Sequence, residues 1–308
     1  MKIIFFGSDD FAQAHLEEIL KQDFEVCACV TQPDKPKGRG MALTVSPIKK
    51  TAEEHGIPVL QPESLKDPAF LEELASFGAD IFVVIAYGKF LPETLLDIPA
   101  KGALNVHGSL LPKYRGAAPI HWAVLNGEKE TGVTVMFLNT EMDAGDIIRQ
   151  ARLSIAPEDT AVTLRQKMIA LGKRTLIEVL KDFRSGEVRA TAQNKDKVSY
   201  APRLTKDLGE IDWHKSAEAI CNQVRGLLPW PGAFTHVQGK PLKILAAEPV
   251  LGQGKPGEIL QTGPETMDVA AGEGIVRIQQ VHFAGGKPMS AGAFLRGHRL
   301  SPGEAFPL

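Results

Sequence analysis

The segment Ala103–His107 places an amide and an imidazole two residues apart, and both groups can hydrogen-bond to a substrate oxygen. The segment is short and apolar apart from these two side chains, which predicts a buried strand rather than a helix. Because successive side chains of a strand point to opposite faces, Asn105 and His107 share one face. Open α/β sheets bind ligands beyond the carboxyl ends of their strands, so we expect this pair to face a ligand.

An acidic turn at residues 141–146 lies between two later predicted strands and supplies a candidate partner for the imidazole. A carboxylate from Asp143 beside His107 would stabilise the charged ring and fix its tautomer, leaving the other ring nitrogen for a substrate oxygen. Asp146 is explained at least as well by turn formation, because aspartate next to glycine commonly bonds to nearby backbone. Asn105 and His107 could also be polar residues satisfied at a strand end, but the Gly-Ser loop after them favours a site.

Other catalytic motifs are missing or misplaced. Ser109 lies in His-Gly-Ser-Leu-Leu rather than Gly-x-Ser-x-Gly, so it lacks the geometry of a hydrolase nucleophile. The sequence has no His-Glu-x-x-His and no paired Cys-x-x-Cys, and its remaining histidines are scattered, so we expect no bound metal. The segments at residues 7–10 and 38–40 lack the later Gly of a dinucleotide-binding loop, and the Gly-rich stretch 252–257 is interpreted as a turn between late strands. No P-loop occurs either, so nicotinamide and ATP binding are unsupported.

The composition limits what kind of protein can carry these residues. The 308 residues include 35 basic and 37 acidic side chains and are 44% hydrophobic, which excludes a disordered chain, a polycation and an acidic tail. The longest apolar run, residues 81–87, is far shorter than the ~18 residues of a membrane-spanning helix, so we expect no membrane partner. Three cysteines without a metal or disulfide spacing predict a reducing, cytoplasmic location.

Short apolar runs alternate with helical stretches through the first 185 residues, which is typical of a parallel α/β sheet. We predict strands at residues 2–6, 26–31, 58–60, 81–85, 103–107, 132–138 and 146–155. We predict helices at residues 11–21, 47–54, 68–76, 118–125 and 160–183. This sheet is the element that must position Asn105 and His107.

A basic linker is predicted between two domains. Residues 184–206 hold six basic against two acidic side chains and break the α/β alternation. Beyond them we predict one helix at residues 216–228 and five short strands, at residues 234–237, 242–248, 258–261, 267–270 and 275–283. Short strands divided by Gly and Pro turns predict a small, OB-like β-barrel. We therefore expect a first domain at residues 1–185, a linker at 186–206 and a second domain at 207–308.

A second basic segment follows the second predicted strand. From Asp34 to Lys50 the sequence has five basic residues and one acidic residue, within a connection too long for an ordinary βα loop. On composition alone, a solvated surface loop explains this charge equally well. Together with the linker, the loop can form two arms of a phosphate-contacting surface, because each Lys or Arg on a phosphate adds salt-dependent affinity.

Motifs spread over nearly the whole chain resemble the methionyl-tRNA formyltransferase family. The Asn-x-His…Ser-Leu-Leu-Pro signature with a later Asp marks formyltransferases that use 10-formyltetrahydrofolate. The Gly-Arg-Gly loop and the Asp-Trp and Pro-Trp-Pro motifs of the second domain narrow the resemblance to the tRNA enzymes. The matching residues are 7–12, 31–34, 38–40, 86–88, 105–112, 115–120, 130–134, 142–146, 200–201, 211–213 and 229–231.

The resemblance implies a Rossmann-like, parallel-sheet formyltransferase domain followed by a small OB-like β-barrel domain that binds tRNA. It also implies that the formyl group of 10-formyltetrahydrofolate passes to the α-amino group of methionyl initiator tRNA, giving N-formylmethionyl-tRNA for translation initiation. Asn105, His107 and Asp143 correspond to the family's catalytic trio. Asn105 and protonated His107 would donate hydrogen bonds to the oxyanion of the tetrahedral intermediate. Asp143 would support His107 and accept the amine proton, directly or through water.

The resemblance further implies binding residues for both substrates. The residues that correspond to the folate site are Ser109, Leu110, Leu111, Pro112, Ile85, Ala86, Tyr87 and Gly88. The basic residues assigned to tRNA are Lys35, Lys37, Arg39, Lys195, Lys197, Arg203 and Lys206. The expected partners are therefore 10-formyltetrahydrofolate and the tRNA, with no metal, and we expect the chain to act as a monomer.

Two other functions are compatible with the motifs. The first is formyl transfer to a small amine, such as glycinamide ribonucleotide or an amino-sugar nucleotide, against which the basic loop and the second domain argue. The second is a catalytically silent RNA- or folate-binding protein that keeps the fold. The intact trio of Asn105, His107 and Asp143 argues against that alternative.

Overall fold

Two compact units make up the chain in the computed structural model, which describes residues 1–37, 42–298 and 300–307. The first unit contains Met1–Gly116, Gly132–Leu153 and Gln166–Tyr200. The second unit contains Ala117–Thr131, Ser154–Arg165 and Ala201–Leu308. Each unit is therefore built from three stretches of chain, and two short stretches that precede residue 166 belong to the second unit.

The chain contains seventeen strands and eight α-helices within the residues that the structure describes. The N-terminal elements are β1 (Lys2–Gly7), α1 (Asp10–Leu20), β2 (Glu25–Val30), β3 (Lys35–Lys37), β4 (Ala42–Thr44), α2 (Pro47–Glu54), β5 (Val59–Leu60), α3 (Pro68–Ser76), β6 (Ile81–Ile85), α4 (Glu93–Leu96), β7 (Ala103–His107), β8 (Arg115–Gly116), α5 (Pro119–Leu125), β9 (Glu130–Phe137), β10 (Ile147–Ser154) and α6 (Ala161–Ser185). The C-terminal elements are β11 (Tyr200–Ala201), α7 (Ala217–Gly226), β12 (Ala233–Val237), β13 (Lys240–Val250), β14 (Ile259–Thr262), β15 (Met267–Ala270), β16 (Ile275–Phe283), β17 (Met289–Ser290) and α8 (Ala291–Gly297). Short 3₁₀ turns lie at Lys195–Lys197 and Asp207–Gly209.

A seven-stranded sheet forms the centre of the first unit, with strand order β10-β9-β7-β6-β1-β2-β5. The pairs from β7 through β6, β1 and β2 to β5 are parallel, so the prediction of a parallel α/β sheet is confirmed. β9 instead runs antiparallel to β7. The connection between them contributes its helix, α5, to the second unit. It therefore does not form the crossover over the sheet that a parallel pair requires.

The central strands are buried on both faces. Every residue of β6, and Ile3 to Phe6 in β1, lies in the core, which is why these strands appear in the sequence as continuous apolar runs. The flanking helices begin at side-chain caps. Asp9 accepts a hydrogen bond from the N–H of Ala12 at the start of α1. Ser46 likewise accepts from the N–H of Lys49 at the start of α2.

The second unit is built around an antiparallel sheet of order β12-β13-β16-β15-β14, with β17 paired to β16. Its core includes Trp213, Leu242, Ile278 and Phe294. The prediction of a small β domain after the α/β domain is confirmed. The sequence did not predict β17 and α8, because elements of two and seven residues are too short to show a hydrophobic period.

Candidate active site

His107 ends β7 with a buried ring, and one ring nitrogen is already engaged. Its Nε2 atom lies 2.8 Å from the carbonyl oxygen of Tyr114. Because a carbonyl oxygen can only accept, Nε2 must carry the hydrogen of this bond. The Tyr114 carbonyl therefore fixes the tautomer, a role that the sequence led us to expect of Asp143. Nδ1 is the nitrogen left to act on a substrate.

Asp143 faces that second nitrogen. Its Oδ2 atom lies 3.6 Å from His107 Nδ1 and accepts a 2.7 Å hydrogen bond from the backbone N–H of Gly116. Among the residues that the structure describes, no hydrogen bond engages the other carboxylate oxygen, Oδ1. The two side chains are thus close enough for an ion pair when the ring is charged. One carboxylate oxygen remains available to accept a proton.

The turn that carries Asp143 begins at the far end of β7. Leu104 pairs with Phe137, the last residue of β9, so the chain leaves β9 beside Leu104. It must then return along β7 to bring Asp143 to His107. Gly145 permits this return, because a Cβ at that position would collide with the carbonyl oxygen of Phe137. The predicted pairing of the imidazole and the carboxylate is therefore formed by a folded-back turn.

Asn105 lies on the same strand, between two residues whose side chains are buried. It is half-buried itself, and within the described ranges its amide makes no hydrogen bond. An amide with a free donor can hydrogen-bond to an oxyanion without first breaking a contact inside the protein. The strand thus positions Asn105 two residues before His107, as the alternation of side chains predicted.

The segment of residues 109–112, which follows β7, is fixed by side chains of β9 and β10. Thr134 Oγ1 donates to the carbonyl oxygen of Ser109 (2.7 Å) and accepts from the N–H of Leu111 (3.1 Å). Gln150 Nε2 donates to the carbonyl oxygen of Leu111 (2.8 Å). The Ser109 hydroxyl is buried and donates to a backbone carbonyl within the loop, which agrees with the exclusion of a serine nucleophile. Folate binding by this segment stays a prediction.

The loop after β6 presents backbone rather than aromatic surface. The ring of Tyr87 packs edge-on against Phe6, and burial raises the pKa of Tyr87 to about 12. The Tyr87 ring is thus part of the core and does not form a ligand-contacting surface. The carbonyl oxygen of Tyr87 accepts from Gln32 Nε2 at 2.6 Å. Gly88, at φ +81°, packs so closely on the same Gln32 amide that a side chain there would not fit without a shift.

An ion pair fixes the base of the basic loop. Lys49 Nζ lies 2.7 Å from Asp34 Oδ2 and 3.0 Å from Gln61 Oε1. The hydrogen bonds from Lys49 and Gln61 hold the pKa of Asp34 below its ordinary value. Above this base, β3 (Lys35–Lys37) and β4 form an antiparallel hairpin. Arg39 lies outside the described residues.

The predicted RNA-contacting residues of the linker are all exposed. Lys195 and Lys197 belong to the first unit, where they form a 3₁₀ turn. Arg203 and Lys206 belong to the second unit. Their exposure is compatible with RNA contact, which stays a prediction for all four side chains.

Three residues that hold the His107–Asp143 pair were not predicted as site residues. Arg115 and Gln193 are buried against each other, with Arg115 Nε and Nη2 at 3.1 and 2.7 Å from Gln193 Oε1. Ser199 accepts a hydrogen bond from the backbone N–H of Tyr114. Arg115 was noticed only as part of a family motif. Gln193 and Ser199 could not be predicted as site residues. They lie in an irregular polar linker, where no hydrophobic periodicity distinguishes the residues that face the protein.

The described part of the chain offers neither a metal centre nor a membrane span. No three His, Cys, Asp or Glu side chains in it converge closely enough to hold a metal ion. No helix in it is long and apolar enough to cross a bilayer.

Comparisons with known proteins identify the class of protein that combines this α/β sheet and polar trio with an added β domain. A family model described as "Formyl transferase" matches residues 1–180, and one described as "Formyl transferase, C-terminal domain" matches residues 203–299. A relative from Citrifermentans bemidjiense named methionyl-tRNA formyltransferase is 44% identical over 303 residues, which cover 98% of this chain and 95% of the relative. The chain therefore belongs to the formyl transferase family, among its methionyl-tRNA formyltransferases, and is a formyl-transferring enzyme.

Solved structures share the fold. WlaRD, a sugar 3N-formyl transferase crystallised in the presence of dTDP and 5-N-formyl-THF, has a TM-score of 0.70 at 20% identity, covering 93% of this chain and 99% of its own. HypX from Aquifex aeolicus in complex with tetrahydrofolic acid has a TM-score of 0.66 at 19% identity. This chain spans 51% of the HypX chain, which in turn covers all of this chain. At such low identities the likeness concerns the fold alone.

Proposed function

We propose that this enzyme transfers the formyl group of 10-formyltetrahydrofolate to the α-amino group of methionyl initiator tRNA. The name of its relatives supports the acceptor, and the folates with which two structural neighbours were crystallised support the donor. The observation that carries the proposal is the 3.6 Å distance between His107 Nδ1 and Asp143 Oδ2, with His107 on the same strand as the half-buried Asn105.

The first step is attack of the amine on the formyl carbon. A C–N bond forms, and the electron pair of the C=O bond moves to the oxygen, which becomes an oxyanion. The Asn105 amide and the protonated Nδ1 of His107 donate hydrogen bonds to this oxyanion. His107 cannot use Nε2 for this purpose, because Nε2 donates to the Tyr114 carbonyl.

The second step breaks the bond between the formyl carbon and N10 of the folate. Asp143 Oδ1 takes the proton that the attacking amine loses, directly or through a water. The oxyanion reforms the C=O bond, and N10 leaves with a proton delivered from His107 Nδ1 or from a water. The products are the N-formylated amine and tetrahydrofolate. Where His107 gave the proton to N10, the proton held by Asp143 passes to His107 Nδ1, so both groups are restored and atoms and charge balance.

The binding surfaces are part of the same proposal. The donor would lie against the backbone of residues 85–88 and 109–112, two loops whose shapes are fixed by buried hydrogen bonds. The acceptor RNA would meet the basic loop and the basic linker. We propose that the catalytic domain comprises residues 1–185, the linker 186–206 and the tRNA-binding domain 207–308, and that the enzyme acts as a monomer in the cytoplasm, where its tRNA substrate is found.

A comparison of acceptors tests the proposed substrate. Formyl transfer from 10-formyltetrahydrofolate is measured with methionyl initiator tRNA, methionyl elongator tRNA and glycinamide ribonucleotide. We expect formylation confined to the initiator tRNA. Transfer only to the small amine would keep the chemistry and reject the RNA acceptor, and no transfer at all would favour a silent binding protein.

The basic loop has its own test. The Arg39→Ala variant should raise the KM for tRNA and flatten its salt dependence, because one phosphate contact fewer releases fewer counterions. Unchanged turnover with an unchanged salt dependence would remove Arg39 from the RNA surface.

A further inference from the structure

One member of the proposed catalytic pair, Asp143, and the residue that orients the other member, Tyr114, hold a strained backbone conformation. Tyr114 has φ +62° and Asp143 has φ +50°, in the left-handed region that non-glycine residues rarely adopt. Tyr114 supplies the carbonyl that orients His107, and Asp143 supplies the carboxylate that faces it. Such conformations persist only where the surroundings over-determine them. In both cases a surrounding contact comes from the same short stretch, residues 193–199, which we name the clamp segment.

Gln193 holds the Asp143 turn from one end of the clamp segment. Its Nε2 atom donates to the carbonyl oxygens of Asp143 and Gly145, at 2.8 Å each. Its Oε1 atom accepts from Arg115, so both ends of the Gln193 amide are used and the side chain is buried. Because these hydrogen bonds use both ends of the amide, the Gln193 side chain is held in one orientation and fixes the position of the Asp143 turn.

Ser199 holds Tyr114 from the other end. Its hydroxyl accepts from the backbone N–H of Tyr114 at 2.9 Å. Its own carbonyl oxygen accepts from the N–H of Arg115 at 2.8 Å, and its N–H donates to the carbonyl oxygen of Pro112. Three consecutive contacts thus fix the loop whose carbonyl group engages His107.

The part of the clamp segment between these two anchors is exposed and basic. Asn194 accepts a hydrogen bond from the N–H of Asp196 and caps the 3₁₀ turn Lys195–Lys197. The side chains of Lys195 and Lys197 lie in solvent, with one carboxylate between them. Five residues join Gln193, which is buried, to Ser199, which is half-buried, so the turn is a short connection between two hydrogen-bonded residues. A ligand that shifts or rigidifies this turn would therefore change the positions of Gln193 and Ser199.

We propose that Gln193 and Ser199 are positioning residues for the His107–Asp143 pair, and that RNA contact at Lys195 and Lys197 aligns the pair through them. This inference rests on the proposed function, which assigns these two lysines to tRNA. A phosphate contact on the turn would bring His107 Nδ1 and Asp143 into reacting alignment only when the acceptor is bound. Misplacement of reacting groups by about 1 Å can cost about a hundredfold in rate, so a small adjustment is sufficient.

Single substitutions at the two anchors test the positioning role. Gln193→Glu keeps the acceptor for Arg115 but removes the donor to the two turn carbonyls, and Ser199→Ala removes only the hydroxyl. Each should lower kcat by about tenfold or more while both KM values stay within about twofold. Ser199→Thr, which restores a hydroxyl, should recover most of the loss. Matched changes at exposed sites of α6, Gln166→Glu and Ser185→Ala, should leave kcat unchanged.

A cycle of variants tests the link to RNA. Replacing Lys195 and Lys197 together by alanine should lower kcat at saturating tRNA. In the Ser199→Ala background the same double replacement should cause no further loss of kcat. Full additivity of the two losses would overturn the link. Wild-type kcat in both anchor variants, or losses that only follow the amount of unfolded protein, would overturn the positioning role.

A spectroscopic readout separates this inference from the proposed function. Ring ¹⁵N NMR of His107 in the full chain reports its surroundings without turnover. Ser199→Ala alone should move the His107 signals, as should tRNA added to the wild type. If the wild type formylates no methionyl-tRNA, the proposed function fails. Signals that do not move in Ser199→Ala would then overturn the positioning role on their own.

Discussion

The turn at residues 141–146 carries two aspartates with different surroundings. Asp143 is half-buried, lies 3.6 Å from His107 Nδ1 and is fixed by the N–H of Gly116. Asp146 is exposed at the end of the turn. The sequence favoured Asp143 as the partner of His107 and explained Asp146 by turn formation, although both are aspartates near Gly145 in one turn. The difference lies in burial and in the neighbouring ring, which only the folded chain provides.

Replacing Asp143 by asparagine removes the proton acceptor while preserving the turn. The amide oxygen of asparagine can still accept from Gly116, so folding should be kept. We expect Asp143→Asn to lower kcat by about a hundredfold or more, in the range of lost general-base catalysis. Steady-state kinetics with thermal unfolding as a check of the fold measures this effect.

The neighbouring aspartate is the matched control for that experiment. Asp146→Asn makes the same chemical change in the same turn and should leave kcat unchanged. Equal kinetics for the two variants would show that Asp143 is not the base.

At the level of elements, the sequence predicted the buried strands of the sheet but not the direction of β9 or the backbone conformation of the loops. β1, β6 and β7 were recognisable because strands buried on both faces are continuous apolar runs. The antiparallel direction of β9 was not recognisable, because strand direction depends on where the connecting chain packs. The left-handed backbone of Tyr114 and Asp143 was also hidden, since neither residue is a glycine that would have marked it.

β9 contributes a side chain that fixes the proposed folate-binding loop. Replacing Thr134 by valine keeps the shape of the strand but leaves the carbonyl of Ser109 and the N–H of Leu111 with one hydrogen bond fewer. We expect Thr134→Val to raise the KM for 10-formyltetrahydrofolate by about tenfold and to lower the free energy of unfolding by about 1–3 kcal/mol. Kinetics and denaturant unfolding measure the two effects.

A buried threonine in α6 serves as its control. Thr175 donates to the carbonyl oxygen of Leu171 within the helix, away from that loop. Thr175→Val should affect stability alone. A raised KM in Thr175→Val, or an unchanged KM in Thr134→Val, would contradict the role assigned to β9.

At the scale of the whole molecule, the two units are interleaved in sequence. α5 comes from the N-terminal half of the chain but belongs to the second unit, and so does its residue His121. Burial, with a smaller contribution from the positive charge of Arg165, holds the pKa of His121 below its ordinary value. All three tryptophans also lie in the second unit, so their fluorescence reports on it selectively.

The lowered pKa of His121 makes the stability of the second unit depend on pH. Below the ordinary histidine pKa of about 6.5, the unfolded chain protonates His121 while the folded chain resists protonation. The unfolded state then binds more protons, so the free energy of unfolding falls as the pH drops from about 7.5 to about 5.5. In denaturant titrations followed by tryptophan fluorescence, the wild type should lose more stability over this range than His121→Gln. Equal losses would contradict the assignment.

Asn105 tests the central claim most directly, because within the described residues its amide makes no hydrogen bond and its proposed role is to stabilise the oxyanion. The measurement is the single-turnover rate of formyl transfer to methionyl initiator tRNA by the wild type and by Asn105→Ala, with both substrates saturating. The account predicts a rate lower by a factor on the order of 10²–10³, with unchanged thermal unfolding. A rate within about threefold of the wild type would contradict it, since a missing oxyanion donor cannot leave the chemical step intact.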